Sequence, residues 1–261
     1  MRLGKKLLTA CVLLCPTFAA ADFVPWIEFK GTQLFRDRAG GAYCYSTAHS
    51  RVDADGAPNA YHPDDVGKHC MRDPHKGLDC PANAGFPGTN WWRSVLVPDP
   101  ADESRPYIQP NGPTKGFFVA KTWLTNGAAA NSASNYVDST KVPYIVFPGS
   151  AFSRMDGTGS KGDLGIAWHE NGRRTSFVVA DQGGGSNARL GEASIAFYER
   201  LGGRNLNART GSGVAPGTVK FLVFPGSRRN FAWPQTVEAM DRKADELLSS
   251  IGGETAIGSC R

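Results

Sequence analysis

Residues 175–201 read Thr175-Ser-Phe-Val-Val-Ala-Asp181-Gln-Gly-Gly-Gly-Ser-Asn-Ala-Arg-Leu-Gly-Glu192-Ala-Ser-Ile-Ala-Phe-Tyr-Glu-Arg-Leu201. The apolar beginning predicts a buried strand that ends at Asp181, and the last third predicts a short helix with Glu192 in its first turn. A glycine-rich loop lies between the two acids, where it permits left-handed turns and close backbone approach. Two carboxylates on opposite sides of one turn suit general acid and base chemistry at a single bond. Asp181 and Glu192 are therefore the candidate catalytic residues.

Short apolar segments separated by Gly and Pro turns surround this stretch. Strands are predicted over residues 117–124, 142–147, 164–168, 176–180 and 219–224. Asn171-Gly172, between two of these segments, indicates a hairpin. Two helices are predicted, one between Glu192 and Gly202, and one over residues 237–251 with apolar side chains at helical spacing. The pattern is typical of a mainly β protein, either a barrel or a sandwich, with a few peripheral helices.

The N-terminal part of the chain has a different composition. Residues 22–115 are rich in Gly, Pro, Asp and aromatic residues, so turn chemistry dominates, with short strands predicted near residues 91–98 and 107–109. We predict that residues 22–115 form a loop-rich region stabilised by disulfides. This region packs on a β core that spans residues 116–261 and ends in a C-terminal helix.

Residues 1–21 have the features of a secretory signal peptide: a basic start, a short apolar run and small residues at the end. A lipoprotein signal ending at Cys11 is the alternative. The formal net charge of +5 falls to +2 without the three basic residues of this leader. A small, scattered positive charge argues against nucleic-acid binding, and no later segment reaches the ~20 apolar residues of a membrane helix. We expect a secreted monomer, extracellular or periplasmic.

Four cysteines follow the leader, and in an exported protein they favour two disulfides, with three possible pairings. Cys70 and Cys80 enclose a short turn-rich loop and form the favoured pair. Cys44 would then pair with Cys260 and join the ends of the mature chain. No paired C-x-x-C spacing indicates zinc, and Asp53-Ala-Asp-Gly56 lacks the further ligands of a calcium loop. No metal and no cofactor are expected.

Several spaced motifs occur in order through residues 50–202. They are Asp53-Ala-Asp-Gly56, the segment 137–148, Gly162-Asp-Leu-Gly165, Val178-Val-Ala-Asp-Gln-Gly-Gly184 and Arg189-Leu-Gly-Glu-Ala-Ser-Ile195. Together they resemble the core of glycoside hydrolase family 75, the fungal-type chitosanases. The resemblance implies that Asp181 and Glu192 are the catalytic pair of an inverting, endo-acting enzyme that cleaves β-1,4 bonds between glucosamine residues. Glu192 is taken provisionally as the acid and Asp181 as the base.

The Asp-x-Gly-Gly turn is also similar to the catalytic turn of double-psi β-barrel enzymes that act on peptidoglycan. This similarity implies a core made of a six-stranded double-psi-like β-barrel. It also leaves two alternatives to a chitosan substrate: a peptidoglycan-cleaving enzyme, and a non-catalytic carbohydrate-binding protein of the same fold.

Acidic and aromatic residues are the candidates for substrate binding. Asp53, Asp55 and Asp163 would attract the ammonium groups of a cationic polysaccharide, although each also fits an ordinary turn. Asp64, Asp65 and Asp79 belong to the same class of candidate. Trp91 and Trp92 would stack on sugar rings. Neighbouring residues of a strand point to opposite sides, so we expect only one of these two indoles to be exposed.

Overall fold

One large β-sheet organises the protein. The computed structural model describes residues 21–260 except residues 40, 68, 73 and 74. Its strands are β1 (Phe23–Phe29), β2 (Thr32–Asp37), β3 (Tyr43–Thr47), β4 (Arg51–Asp53), β5 (Pro98–Asp99), β6 (Asp102–Pro106), β7 (Tyr144–Pro148), β8 (Leu164–His169), β9 (Arg174–Gly183), β10 (Glu192–Ser194) and β11 (Val219–Phe224). Nine of them form one sheet, and β5 pairs only with β6 in the described part of the chain. The prediction of a mainly β fold is confirmed.

The order of strands in the large sheet is β1-β2-β3-β11-β8-β9-β7-β10-β4. Most neighbours are antiparallel, but β7 runs parallel to β9, and β10 runs parallel to β4. Strands from before and after residue 116 share this sheet, so it crosses the predicted boundary. Within the described residues the order does not close on itself, because β1 and β4 remain at its edges. The six-stranded double-psi-like barrel therefore stays a prediction.

The two predicted helices are confirmed, and each begins at a capping side chain. The α-helices are α1 (Trp92–Val95), α2 (Gly149–Ser153), α3 (Ile195–Arg200) and α4 (Val237–Ser250). Ser194 caps α3, and Thr236 caps α4 by accepting a hydrogen bond from the Ala239 backbone NH. α4 buries Met240, Ala244 and Leu248, which lie on one face at helical spacing.

The predicted hairpin and four of the five predicted core strands, now β7, β8, β9 and β11, form close to their expected positions. β8 and β9 pair antiparallel around Asn171-Gly172, and β11 spans residues 219–224 as predicted. The strand predicted over residues 117–124 is wrong. Phe118, Val119 and Ala120 are buried there, but their backbone groups bond to loop segments and not to a neighbouring strand. The apolar run thus reflects burial under loops, which periodicity cannot distinguish from a strand.

The region before residue 116 contains more regular structure than predicted. β1, β2 and β3 form an antiparallel meander that joins the sheet through β11, and β4 forms its opposite edge. The segment near Trp92, predicted as a strand, is the helical turn α1. These strands were missed because the Gly, Pro and Asp turns between them dominate the local composition.

Both predicted disulfides are present. Cys44 in β3 bonds to Cys260, 216 residues away, and Cys70 bonds to Cys80, with Cα–Cα distances of 6.1 and 5.7 Å. Residues 1–20 of the predicted signal peptide lie outside the described residues. Among the residues that are described, no helix combines the length and the apolar character needed to cross a membrane.

The central strand β9 is buried on both faces, which fixes its C-terminal end. Phe177 and Val179 pack into one apolar cluster, together with residues of β7, β11 and α3. Val178 and Ala180 pack into a second cluster, beneath Met240 of α4. Burial on both faces leaves the strand no freedom to slip by one residue. The residue at its end therefore has a defined position.

Candidate active site

A cleft of about 820 Å³ opens where β9 ends. Five carboxylates line it, contributed by four different parts of the chain: Asp53, Asp55, Asp79, Asp181 and Glu192. The other polar lining includes Arg51, Tyr61, Asn83 and Gln182, and Trp91 lies at the wall. The cleft thus contains both candidate catalytic acids and three of the six aspartates that the sequence offered as binding candidates.

Asp181 lies at the end of β9, as predicted, and a β-bulge directs its side chain. In the parallel pair with β7, Val179 is opposite Ile145, but Asp181 rather than Ala180 is opposite Val146. The extra residue shifts the alternation of the strand, which is how bulges re-aim a side chain near an active site. The backbone NH of Trp123 donates to Asp181 Oδ1 at 2.9 Å and holds the carboxyl group in place.

Glu192 is the first residue of β10, so its predicted position in a helical turn is wrong. The helix begins three residues later, because the Ser194 hydroxyl accepts a hydrogen bond from the Phe197 backbone NH at 3.1 Å and caps it. Before Glu192 the chain passes so close to the segment that leads into β4 that a Cβ on Gly191 would lie 2.1 Å from the His49 carbonyl oxygen. The parallel pairing places Glu192 beside Arg51. The Gly-Glu-Ala-Ser motif thus sets both the turn and the cap around the acid.

The loop between the two acids approaches the cleft through its backbone. Gly184 and Gly185 have φ values of +90° and +55°, and a Cβ on Gly184 would lie 2.6 Å from the Cβ of Ala188. Both glycines line the cleft. At Gly184, a larger residue would combine a strained backbone with a steric clash. The glycine run therefore keeps one side of the cleft free of side chains.

Asp53 and Asp55 face Asp181 from the end of β4. The backbone NH of Asp55 donates to Asp53 Oδ1 at 2.9 Å, and the Tyr144 hydroxyl donates to Asp53 Oδ2 at 3.1 Å. The Tyr61 hydroxyl donates to Asp55 Oδ1 at 2.7 Å. Oxygens of Asp53, Asp55 and Asp181 lie within 4.8 Å of one another. The Asp-x-Asp-Gly motif thus forms an acidic wall of the cleft that faces Asp181.

Asp79 reaches the cleft from the loop closed by the disulfide Cys70–Cys80. Its Oδ1 accepts hydrogen bonds from the Asn83 side-chain amide at 2.7 Å and from the Cys80 backbone NH at 2.6 Å. Its own backbone NH donates to the Ala60 carbonyl at 2.9 Å. The sequence analysis named Asp79 among the acidic candidates for substrate binding that also fit ordinary turns, and Asp79 lines the cleft.

Burial raises the pKa of all five carboxyl groups, because the charged forms lose hydration. The pKa of Asp53 rises to about 6 and that of Glu192 to about 7. For Asp55 and Asp181 burial again dominates, and the neighbouring Asp53 charge adds to it, so both pKa values lie well above the usual range. The cleft therefore holds bound protons at mildly acidic pH, as a site for acid and base chemistry requires.

The three close aspartates are also the group that could receive a cation. Their oxygens already accept hydrogen bonds from protein donors: both oxygens of Asp53, one of Asp55 and one of Asp181. A cation would have to replace several of these bonds. We assign none of these residues as a metal ligand, and the sequence-based expectation of no metal stays a prediction.

Only one of the two predicted tryptophans can meet a ligand. Trp91 is 49% exposed and lines the cleft, whereas Trp92 is 3% exposed and packs edge to face on Phe86 at 5.7 Å between ring centroids. A binding role for Trp92 is therefore wrong, and the expectation that one of the pair is exposed is confirmed. Trp91 lies against Gly85, where a Cβ would approach the indole to 2.5 Å. Gly85 thus supports one face of the ring.

Asp163 does not belong to the cleft. It is 0% exposed, lies 3.0 Å from Arg228 in an ion pair and accepts a hydrogen bond from the Ser160 backbone NH at 2.8 Å. Its role is to hold the loop before β8, so its predicted part in substrate binding is wrong. The Gly-Asp-Leu-Gly motif that contains it is a packing element.

Sequence reasoning missed the side chains that orient the acids, above all Arg51, Tyr61, Asn83 and Tyr144. Arg51 and Tyr144 contact acids far away along the chain, and no local pattern marks such contacts. Tyr61 and Asn83 contact acids only six and four residues away, but within irregular loops that show no periodicity. Comparison with protein-family models gives no match, and comparison with curated proteins gives none either.

Proposed function

We propose that this chain is a secreted glycoside hydrolase, an endo-acting chitosanase that cleaves β-1,4 bonds between glucosamine residues with inversion. The observation that carries the proposal is the convergence of Asp181 and Glu192, both with raised pKa values, on one cleft lined by three more carboxylates. The motif resemblance to glycoside hydrolase family 75 supports the same conclusion. Its implied double-psi-like barrel is part of the proposal, supported by the parallel pairs β7–β9 and β4–β10.

In the proposed reaction Glu192 protonates the glycosidic oxygen as the bond from that oxygen to the anomeric carbon breaks. A water molecule attacks the opposite face of the anomeric carbon and gives its proton to Asp181. With a pKa of about 7, Glu192 retains its proton in mildly acidic solution and can still release it. Its side chain is 15% exposed, so it recovers a proton from solvent after each turnover.

Asp181 must be ionised to act as the base, and the positive charge of the substrate would favour this ionised form. Asp53, Asp55 and Asp181 repel one another in the free protein, which keeps protons bound among them. An ammonium group that enters the cleft stabilises the charged forms and lowers these pKa values. The base is thus ionised chiefly when a cationic sugar is bound.

The acidic lining also favours chitosan over peptidoglycan. Five carboxylates attract a chain of ammonium groups but repel the carboxylates of peptide stems. The peptidoglycan alternative rests on the Asp-x-Gly-Gly turn alone, and the binding-protein alternative has no need of two acids with raised pKa values.

The test of the proposed function is the release of reducing ends from three polymers: chitosan, chitin and murein sacculi. We expect release from chitosan only, with initial products of the α-anomer as inversion requires. Release from murein alone would support the peptidoglycan enzyme. Binding to chitosan without release, by a protein with both acids intact, would contradict the hydrolase and support the binding protein.

Trp91 offers a second, more local test. Trp91→Ala removes the exposed indole face that we expect to stack on a sugar ring, a contact worth about 1 kcal/mol. KM for glucosamine oligomers should rise roughly fivefold while kcat changes little. Trp91→Phe retains an aromatic face, so its KM should lie between those of the wild type and Trp91→Ala. Trp92→Phe changes a buried ring and is the control, in which KM should stay at the wild-type value. Equal kinetics for wild type and Trp91→Ala would contradict the stacking role.

A further inference from the structure

We infer that Arg51 is a positioning residue for Glu192: it holds the carboxyl group in the cleft and sets the pH range over which that group gives up its proton. The inference rests on the proposed function, in which Glu192 is the acid. Its physical basis is a cation placed among carboxylates by the pairing of two short strands.

The contact is built into the backbone. β10 runs parallel to β4 with Glu192 opposite Arg51, and the Arg51 backbone NH donates to the Gly191 carbonyl at 3.3 Å. The Arg51 Nε atom lies 3.1 Å from Glu192 Oε1. The strand pair thus holds the two backbones side by side, with the guanidinium group within hydrogen-bonding distance of the carboxyl group.

In the described part of the chain, the acidic groups Asp53 and Asp79 act on the pKa of Glu192 in the opposite direction to Arg51. The titratable groups that face Glu192 are Arg51 and Asp53 from β4, Asp79 from the disulfide-closed loop, Asp181 from β9 and Tyr198 from α3. Burial and the charges of Asp53 and Asp79 raise the pKa of Glu192, whereas Arg51 lowers it. Within the described lining of the cleft, Arg51 is the cationic side chain.

This opposition matters for a general acid. A carboxyl group surrounded only by like charges in a buried site would bind its proton too tightly to transfer it efficiently near neutral pH. A guanidinium group at hydrogen-bonding distance lowers the pKa toward the working range and fixes the orientation of the group. The Arg51 side chain is 53% exposed, so it can act in this way without a large cost of its own burial.

The experiment follows the protonation of Glu192 directly. The protein is labelled with ¹³C at glutamate side-chain carboxyls, the Glu192 signal is identified by its loss in Glu192→Gln, and the signal is titrated from pH 4 to pH 9. In Arg51→Gln we expect the midpoint to move upward by about one pH unit, since a nearby opposite charge shifts a carboxyl pKa by at least this amount. Arg51→Lys should retain most of the wild-type midpoint.

Kinetics provide the second measurement and the control. For a soluble glucosamine hexamer, the alkaline limb of kcat/KM against pH should move upward with the Glu192 midpoint in Arg51→Gln. Arg189→Gln removes an exposed positive charge just after the glycine loop and should move neither the midpoint nor the limb.

The outcomes separate this inference from the proposed function. An unchanged Glu192 midpoint in Arg51→Gln, or an equal shift in Arg189→Gln, overturns the role of Arg51. If the Glu192 midpoint moves in Arg51→Gln but the wild-type protein shows no hydrolytic activity, the effect of Arg51 on Glu192 stands and the proposed hydrolase function is wrong. A shift confined to the acidic limb retains the role of Arg51 and assigns Glu192 as the base.

Discussion

Glu192→Gln and Asp181→Asn should each lower the hydrolysis of glucosamine oligomers by about a thousandfold, which is the usual contribution of a positioned general acid or base. Each change retains the size of the side chain but removes its ability to exchange a proton. The measurement is kcat on a glucosamine hexamer at the pH optimum of the wild type. Retention of more than a tenth of the activity in both variants would contradict the assignment of the pair.

The same Asp181→Asn change should stabilise the folded protein at pH 8. The folded-state pKa of Asp181 is raised, so between its ordinary and its raised value the folded state binds more protons than the unfolded state. The free energy of unfolding therefore falls as the pH rises through this range, and burial of the ionised group is unfavourable above it. Asn removes the cost because it carries no charge. Loss of activity with a gain in stability is a combination that a purely structural aspartate would not show.

Urea unfolding at pH 5 and pH 8 measures this effect. Asp181→Asn should exceed the wild type in stability mainly at pH 8. Asp163→Asn is the control, because Asp163 is also buried but is paired with Arg228. Both oxygens of Asp163 accept hydrogen bonds, from the backbone NH groups of Ser160 and Arg228 and from the Arg228 guanidinium group. Asn turns one of these acceptors into a donor and should destabilise the protein at both pH values. Destabilisation by Asp181→Asn at pH 8 would contradict the view of a strained acidic cleft.

The parts of the fold that the sequence predicted are those in which local pattern and burial agree. β11, the β8–β9 hairpin and α4 have either a continuous apolar run closed by a turn or a clear helical period. Residues 117–124 show an equally good run but form only isolated antiparallel bridges at Phe118 and Ala120, because their backbone partners are scattered over several loops, α1 and β9 and do not follow one neighbouring strand. An apolar run thus indicates that a segment is buried. Whether a strand or a loop packs beside it depends on the tertiary structure, which the run does not show.

A similar limit applies to the candidate site. Asp181 and Glu192 were predictable because a glycine loop connects them directly. Asp79 was a candidate from its charge alone, since its place in the cleft depends on a disulfide-closed loop. Arg51 was missed, since its contact with Glu192 depends on the register of two three-residue strands. Asp163 shows the converse error, in which a motif residue proved to be part of the packing.

Register also explains why Glu192 was placed on the wrong element. An acid before an apolar segment is favoured in the first turn of a helix, and that rule suggested its position. The Ser194 hydroxyl is the real cap, and it also donates to the Val142 carbonyl at 2.8 Å. The helix is thus tied to the segment before β7, and the three residues before it are free to extend as β10. Glu192 gains its contact with Arg51 only because of this extension.

Removal of the disulfide Cys44–Cys260 should lower the stability of the protein and leave its activity unchanged. In the loop-entropy account a disulfide stabilises more when it closes a longer loop. Cys44–Cys260 spans 216 residues, so Cys44→Ala with Cys260→Ala should lower the free energy of unfolding by about 5 kcal/mol. Neither residue lines the cleft, and the folded fraction should retain its kcat and KM. Unfolding in urea and assays below the midpoint measure the two quantities.

Cys70→Ala with Cys80→Ala should lower the stability less than removal of Cys44–Cys260, but should weaken substrate binding more. This disulfide spans only 10 residues, for which the same account gives about 3 kcal/mol. Cys80 also fixes its neighbour Asp79, whose carboxyl group accepts the Cys80 backbone NH. Release of the loop should therefore raise KM for a cationic oligomer roughly tenfold, because a misplaced charge loses a contact worth about 1.4 kcal/mol. Asp79→Asn should raise KM similarly while both disulfides remain intact. Unchanged KM in Asp79→Asn would mean that the loop serves the fold alone, and the acidic wall that binds the substrate would then end at Asp55.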